Sequence, residues 1–161
     1  MRDKKFVAEH RGGALKKEQH QQLIQWGCDC AEHVLYIFGK EIDKRLINAI
    51  TVAKEWIKGN ASVGEAREAS LRAHEVARES SNPASIAVAH SVGHAVATAH
   101  MSDHSLSAAS YALKAVTSVG KSLDLERKWQ NEQLPIEIKD LVLFARNKNE
   151  KLFKKKNKDH D

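Results

Sequence analysis

The sequence has few of the residues that interrupt helices: its 161 residues include only two prolines and eight glycines. Aromatic residues make up only 6% of the chain, and cysteine occurs twice. Ala, Glu, Lys, Leu and Ser are abundant instead, a composition that favours long helices over a many-turned β fold. A chain of this length is most simply one domain with a sizeable core. We therefore expect an all-α protein.

The sequence also lacks any long apolar run. No stretch approaches the roughly 18 uninterrupted apolar residues of a membrane-spanning helix. The first residues, MRDKKFVAEH, have no apolar segment of the kind that a secretory signal carries. On a helix the thiols of Cys28 and Cys30 would point about 200° apart, so a disulfide between them is disfavoured. We expect a cytoplasmic protein with two reduced, buried cysteines and no membrane partner.

Motifs of common enzyme classes are missing as well. The chain has no G-x-S-x-G elbow, no phosphate-binding G-x-x-x-x-G-K and no G-x-G-x-x-G after a strand. The formal net charge of +5 arises partly from the lysines of residues 150–161. No Arg-rich face or aromatic interleaving accompanies this charge, so we expect no nucleic-acid partner. The sequence therefore favours a protein that is not an enzyme, and no catalytic residue is assigned.

Apolar residues recur at three- and four-residue spacings along most of the chain, as in amphipathic helices. Ser62 and Glu65 have the spacing of a capping box, and Pro83 suits the first turn of a helix. Ser102 and Asp103 are good N-cap residues, so we expect a turn there. The pattern predicts a compact multi-helix bundle of six or seven helices, over residues 16–38, 43–57, 62–77, 84–101, 103–118, 121–133 and 136–146. We expect one helical domain, 1–149, followed by a basic disordered tail, 150–161.

Four of the nine histidines fall within AHSVGHAVATAHMSDH, residues 89–104. On one continuous helix they would occupy an arc of about 120°. His90 and His94 form one i, i+4 pair, and His100 and His104 form another, which is the spacing of helical zinc ligands. Asp103 could orient one of the rings. This pattern predicts a candidate site for a transition metal such as zinc at His94, His100, Asp103 and His104, with His90 as a possible addition.

Three features of the same segment favour a structural role for these histidines. A turn at Ser102 and Asp103 would place the two pairs on different helices. The segment lacks the glutamate that accompanies helical zinc motifs, and residues 84–101 are apolar nearly all round, which is typical of a buried helix. A buried neutral histidine needs hydrogen-bond partners. We therefore expect a network of neutral histidines without a cofactor; metal binding, acid–base catalysis and a pH-responsive core remain alternatives.

Two further histidines have local explanations. Asp29 lies four residues before His33 on the first helix, and this spacing predicts a structural pair. His74 lies among alanines on the third helix, beside Glu75 and Arg78, and we expect it to be half exposed. The glutamates of that helix (Glu65, Glu68, Glu75 and Glu79) are expected to pair with its arginines (Arg67, Arg72 and Arg78).

Five stretches of the chain together carry a family resemblance: EHRGGAL (9–15), WGCDCAEHVL (26–35), RAHEVARE (72–79), GHAVATAHMSDHSLSAASYALKA (93–115) and ERKWQNEQLP (126–135). They resemble a family of bacterial immunity proteins, the immunity-five-like helical domain, over about residues 6–145. The resemblance implies an all-helical fold and a role in neutralising a toxin. Its shared pattern includes His94, His100, Asp103 and His104, but it supplies no catalytic residues.

The resemblance leads to the functional expectation. We expect a bacterial immunity-type protein that acts by binding a protein partner, with a toxin as the candidate. The alternative is a metal-binding helical protein or a metal-dependent hydrolase that uses the histidines between His90 and His104. The identity of the partner and the oligomeric state are left open by the sequence.

Overall fold

The computed structural model describes residues 2–158, and in this part of the chain seven α-helices form one bundle. They are α1 (Lys17–His33), α2 (Lys44–Ile57), α3 (Val63–Glu79), α4 (Pro83–Ala97), α5 (His104–Ser118), α6 (Leu123–Glu132) and α7 (Ile136–Lys158). Three short 3-10 helices span Lys4–Phe6, Glu9–Arg11 and Leu35–Phe38. The predicted all-α bundle is confirmed.

Helix α4 lies at the centre, with α1, α2, α3 and α5 packed around it. Pro83 occupies its first turn, and the Asn82 side chain accepts a hydrogen bond from the Ala84 amide at 2.9 Å. Most of its residues are small, apolar and buried, whereas His90 and His94 are only half-buried. The prediction that this apolar segment is a buried helix is confirmed. Its two histidines mark the side of the helix that neighbouring helices do not cover completely.

The predicted break between α4 and α5 is present. Helix α4 ends at Ala97 and α5 begins at His104, so the segment does not form one continuous helix. The buried Ser102 hydroxyl donates to the carbonyl of Phe6, and Ser105 Oγ donates to the Ser102 carbonyl at 2.8 Å. The turn is thus fastened to the N-terminal segment, and the single arc of four histidines does not exist.

Helix α3 packs closely on α4 because its facing residues are small. Ser62 and Glu65 form the predicted capping box, with hydrogen bonds of 3.0 and 3.2 Å between side chains and amides. Its buried face consists largely of alanines, which let two helix backbones approach each other. Ser70 Oγ donates to the Gly93 carbonyl at 2.9 Å, a bond that joins the two helices. This close approach positions the side chains of the candidate site.

The structure differs from the predicted boundaries mainly in three places, the first being α4, which ends at Ala97 instead of residue 101. Helix α1 ends at His33, and most of the following VLYIF run tightens into a 3-10 helix, because β-branched and aromatic residues are weaker helix formers. Helix α7 continues through Lys158 instead of ending at Arg146, since no glycine or proline interrupts it. Residues 159–161 of the predicted tail lie outside the described residues, and the separation of a tail at residue 150 stays a prediction.

The cysteines are both free and buried, as predicted. Burial, with smaller effects from Glu32 and Asp29, raises the pKa of Cys28 to about 12. Burial likewise raises the pKa of Cys30. Both side chains therefore act as small neutral core residues.

None of the described helices combines the length and apolarity needed to cross a membrane.

A candidate histidine site between α3, α4 and α5

Five histidines from three helices and one turn meet along the half-buried side of α4. We call this set the histidine cluster: His74 of α3, His90 and His94 of α4, His100 of the following turn and His104 at the start of α5. His90 and His94 share a face because they are four residues apart on one helix. The turn at residues 98–103 then returns the chain so that His104 lies beside His94. The sequence analysis thus predicted four of the five histidines of this cluster but omitted His74.

The rings form two close pairs. The Nδ1 atoms of His74 and His90 are 2.8 Å apart, and so are the Nδ1 atoms of His94 and His104. At this distance one ring donates its N–H and the other accepts, so each pair holds complementary tautomers. The ring centroids of His74 and His94 are 5.0 Å apart, so the two pairs are neighbours. His100 extends the row, with its ring centroid 5.4 Å from that of His104.

Tyr111 of α5 covers one side of the cluster. Its ring stacks on His94 at a centroid distance of 5.3 Å and an interplanar angle of 9°. Its centroid also lies 5.1 Å from that of His90. The Tyr111 ring therefore holds both α4 histidines against α5 and limits their access to water.

Gly93 makes room for the histidine that α3 contributes. A Cβ atom at this position would lie 2.6 Å from His74 Cε1 and 2.7 Å from His74 Nε2. Side-chain carbon atoms do not approach other heavy atoms so closely, so only glycine lets the imidazole lie directly on the α4 backbone. The position of His74 in the cluster depends on this missing methyl group.

The surroundings of the cluster favour neutral imidazoles. Burial lowers the pKa of His74 to about 4, and repulsion from His90 adds to the effect. Burial also lowers the pKa of His94 to about 4, with His74 and His104 as further causes. The pKa values of His90, His100 and His104 are lowered too, in each case mainly by burial. At neutral pH the cluster is therefore uncharged, and four of its rings form two hydrogen-bonded pairs.

The four residues predicted as metal ligands do not all point to one place. His94 and His104 meet, and His100 is adjacent, but Asp103 faces Arg2, with 3.4 Å between its Oδ1 and the guanidinium. Within residues 2–158, no group of three or more His, Cys, Asp or Glu side chains has an arrangement that could hold a metal ion. The observed geometry is that of two neutral histidine pairs, and metal binding stays a proposal.

His33 is correctly predicted to be paired, but its predicted partner is wrong. Its Nδ1 atom lies 2.6 Å from a carboxylate oxygen of Glu126 on α6, while Asp29 accepts a hydrogen bond from Gln25 at 2.9 Å. The His33 ring also stacks on Trp129, with centroids 3.5 Å apart. An i, i+4 spacing shows which residues can meet on one helix, but it does not reveal a carboxylate from another helix. The expected pairing on α3 is present in part: Arg72 bridges Glu68 and Glu75, whereas Glu79 pairs with Arg45 of α2 at 2.6 Å.

The pattern that could have revealed His74 was present in the sequence. Alanines at positions 66, 69, 73 and 77 predict a helix that packs closely, and His74 follows one of them. Gly93 lies four residues before Ala97 on the most apolar helix, and its missing side chain leaves space for a bulky residue of the neighbouring helix. What the sequence does not specify is the rotation of α3 about its own axis, and this rotation decides whether His74 faces α4 or solvent.

Comparison with protein-family models gives a match. The model of the family described as Imm-5 like putative immunity protein matches residues 13–137, which include α1 to α6 and the whole histidine cluster. The search of curated proteins and the search of solved structures each found no match. Because the family model spans well over half of the chain, the protein belongs to the Imm-5 like putative immunity protein family.

Proposed function

We propose that the protein is a bacterial immunity protein that acts by binding a protein toxin. The observation that carries this proposal is the family match over residues 13–137. The all-helical bundle supports it, because a rigid scaffold can present a preformed surface to a partner. A cytoplasmic location belongs to the same proposal, and the two free, buried cysteines fit a reducing compartment.

The surface that best suits a protein partner lies near the start of α6. Tyr36 is 57% exposed and Leu125 is 70% exposed, and both line one shallow depression with the half-buried Trp129. Lys121 contacts the Tyr36 hydroxyl and lies over its ring, 4.6 Å from the centroid. Tyrosine and tryptophan beside a charged rim are typical of residues that dominate binding energy at interfaces. We call this set the aromatic patch.

The proposal predicts that Leu125→Glu impairs toxin binding. The chain would be produced together with any toxin encoded by a gene adjacent to its own, and complexes would be isolated and their affinity measured. A buried charge at the centre of an interface should weaken binding by about tenfold or more. Leu71→Glu is the matched control, because Leu71 is 54% exposed on α3 and lies outside the patch.

Two results would contradict this assignment. If Leu71→Glu weakened the complex as much as Leu125→Glu, the aromatic patch would not be the binding surface. If no neighbouring toxin formed a complex, and the chain did not restore the growth of cells that produce those toxins, immunity itself would be excluded.

A second candidate function is the binding of a transition metal at the histidine cluster, and with it metal-dependent hydrolysis. The specific observation in its favour is that His94 Nδ1 and His104 Nδ1 already face each other at 2.8 Å. Two nitrogen ligands of a tetrahedral zinc ion lie about 3.4 Å apart, so a small rotation of both rings would suffice. His100, whose ring is adjacent to that of His104, would supply a third nitrogen.

This second proposal predicts stoichiometric metal in untagged protein after incubation with zinc, measured by elemental analysis. His100→Ala and His104→Ala should each reduce the bound metal at least tenfold. His33 lies outside the cluster, so His33→Ala should leave the amount of bound metal unchanged. Absence of metal after loading with zinc, manganese and iron would exclude the proposal. Equal loss in His33→Ala would show that metal binds elsewhere.

A further inference from the structure

A cavity of about 440 Å³ lies between the N-terminal segment, the start of α1, the end of α2 and the turn that follows α4. Its volume is in the range of sites that hold small organic molecules. Phe6 and Leu15 of the N-terminal segment are almost completely buried at its wall, and Trp56 of α2 is half-buried there. The cavity thus combines aromatic and aliphatic surface, to which an apolar group can bind.

The charged residues at the cavity are mostly cationic. Arg2, Arg11 and Lys17 line it, whereas Glu9 is the one carboxylate among the described lining residues. Asp103 offsets part of the charge of Arg2 from outside the lining, at a distance of 3.4 Å. The remaining positive charge favours an anionic ligand.

Two histidines of the lining respond to this positive charge. The pKa of His20 is lowered mainly by burial, which outweighs the opposite effect of its hydrogen bond with the Thr98 carbonyl, and His10, Arg11 and Arg2 lower it further. The pKa of His100 is also lowered mainly by burial, then by His104 and Arg67, with smaller contributions from Arg11 and Arg2. Arg2 and Arg11 line the same cavity as these two histidines.

Two buried polar atoms of the lining residues have no hydrogen-bond partner among residues 2–158: Arg2 Nε and His100 Nδ1. A buried donor without an acceptor costs free energy, so native structures rarely leave one. The other end of the Arg2 guanidinium is engaged, since its Nη2 donates to the Phe6 carbonyl at 3.3 Å. Both atoms lie just below the accessible surface. After a small rotation of the Arg2 and His100 side chains, a ligand oxygen at the cavity would give them the partners that the protein does not supply.

We propose that this cavity binds a small organic anion, with its carboxylate or phosphate at Arg2 and His100 and its apolar ring against Phe6, Leu15 and Trp56. Each part of the ligand matches an observed feature: the charge matches the cationic lining, the oxygens match the unpartnered nitrogens, and the ring matches the apolar wall. This site is separate from the aromatic patch. The inference therefore does not depend on whether the protein binds a toxin.

The test is titration of the full chain with phenyl phosphate and, separately, with benzoate, followed by nitrogen-15 NMR. The Trp56 indole and Arg2 Nε–H resonances should shift in a saturable manner, and the stronger of the two ligands identifies the anionic group. Inorganic phosphate should bind at least tenfold more weakly because it lacks the ring. Benzyl alcohol should bind at least tenfold more weakly because it lacks the charge.

Variants define the site. Arg2→Met should weaken binding of the preferred anion by about tenfold or more, and His100→Phe, which keeps the ring shape but removes the nitrogens, should weaken it several-fold. Arg127→Met is the matched control: it removes the same charge from α6, where Arg127 pairs with Glu150 at 2.9 Å outside the cavity.

The proposal is overturned if benzyl alcohol binds as tightly as the anions. It is also overturned if Arg127→Met weakens binding as much as Arg2→Met, or if neither anion gives a saturable shift.

Discussion

Gly93→Ala is expected to destabilise the native protein but to stabilise the His74→Ala variant. In the native chain the added methyl group would lie 2.6 Å from His74 Cε1, so the imidazole must move away and lose its 2.8 Å contact with His90. We expect a net loss of about 1–3 kcal/mol in the free energy of unfolding, typical of an overpacked core position. In His74→Ala the obstruction is gone, and alanine should then stabilise α4 by about 1 kcal/mol through its higher helix propensity.

The measurement is urea denaturation of the native protein, both single variants and the double variant, which together form a double-mutant cycle. The change of sign distinguishes this explanation from a general effect of alanine on the helix. Gly64→Ala on α3 is the matched control, because the nearest atom that its Cβ would meet is Ser62 Oγ at 3.7 Å, an ordinary contact. If Gly93→Ala stabilised both backgrounds equally, His74 would not pack on α4 and the cluster would lose its α3 member.

The fold could be predicted because its determinants are local. Pro83 and Asn82 begin α4, and α5 begins directly after the predicted cap residue Asp103, although the Asp103 side chain makes no capping hydrogen bond. The burial of α4 follows from its apolar composition on every face. The start and the burial of α4 are decided by residues within a few positions of each other, so one sequence is sufficient to predict them. The turn is held in addition by the hydrogen bond from Ser102 to the distant Phe6 carbonyl.

The candidate site could be predicted only in part, because it depends on how helices are oriented relative to each other. His90 and His94 were expected to share a face of α4, and they do, because one helix fixes their relation. The partners of His33 and His90 come from α6 and α3, which the spacing along one helix cannot reveal. The cavity was missed for a related reason: its N-terminal wall has no regular periodicity, and Arg2 is distant in sequence from the turn that it contacts.

Acidification should destabilise the protein in a pH window set by the histidine cluster. In the unfolded chain a histidine has a pKa of about 6.5, whereas burial holds the pKa values of His74 and His94 at about 4 in the folded protein. Between these values the unfolded state binds more protons than the folded state, so stability decreases as pH falls. The contribution is fully present above about pH 7 and is lost progressively as pH falls towards about 4.

The expected decrease in the free energy of unfolding is about 2 kcal/mol or more between pH 7 and pH 5, after allowance for the partial exposure of both rings. Urea denaturation followed by far-UV circular dichroism at several pH values measures it. The double variant His74→Gln/His94→Gln should be less stable at pH 7, yet its stability should change much less over this range, because glutamine does not titrate.

Asp43→Asn provides the control for other titrating groups. Hydrogen bonds from Arg45 lower the pKa of Asp43. The stability that Asp43 contributes is therefore lost only below about pH 4, the usual pKa of an aspartate. This variant should therefore show the same dependence of stability on pH as the native protein between pH 7 and pH 5.

A native protein whose stability is constant over that range would show that protonation of the cluster does not destabilise the fold. A double variant with the native slope would assign the pH dependence to groups outside the cluster. Only a decrease that depends on His74 and His94 is consistent with a neutral, hydrogen-bonded histidine array packed between α3, α4 and α5.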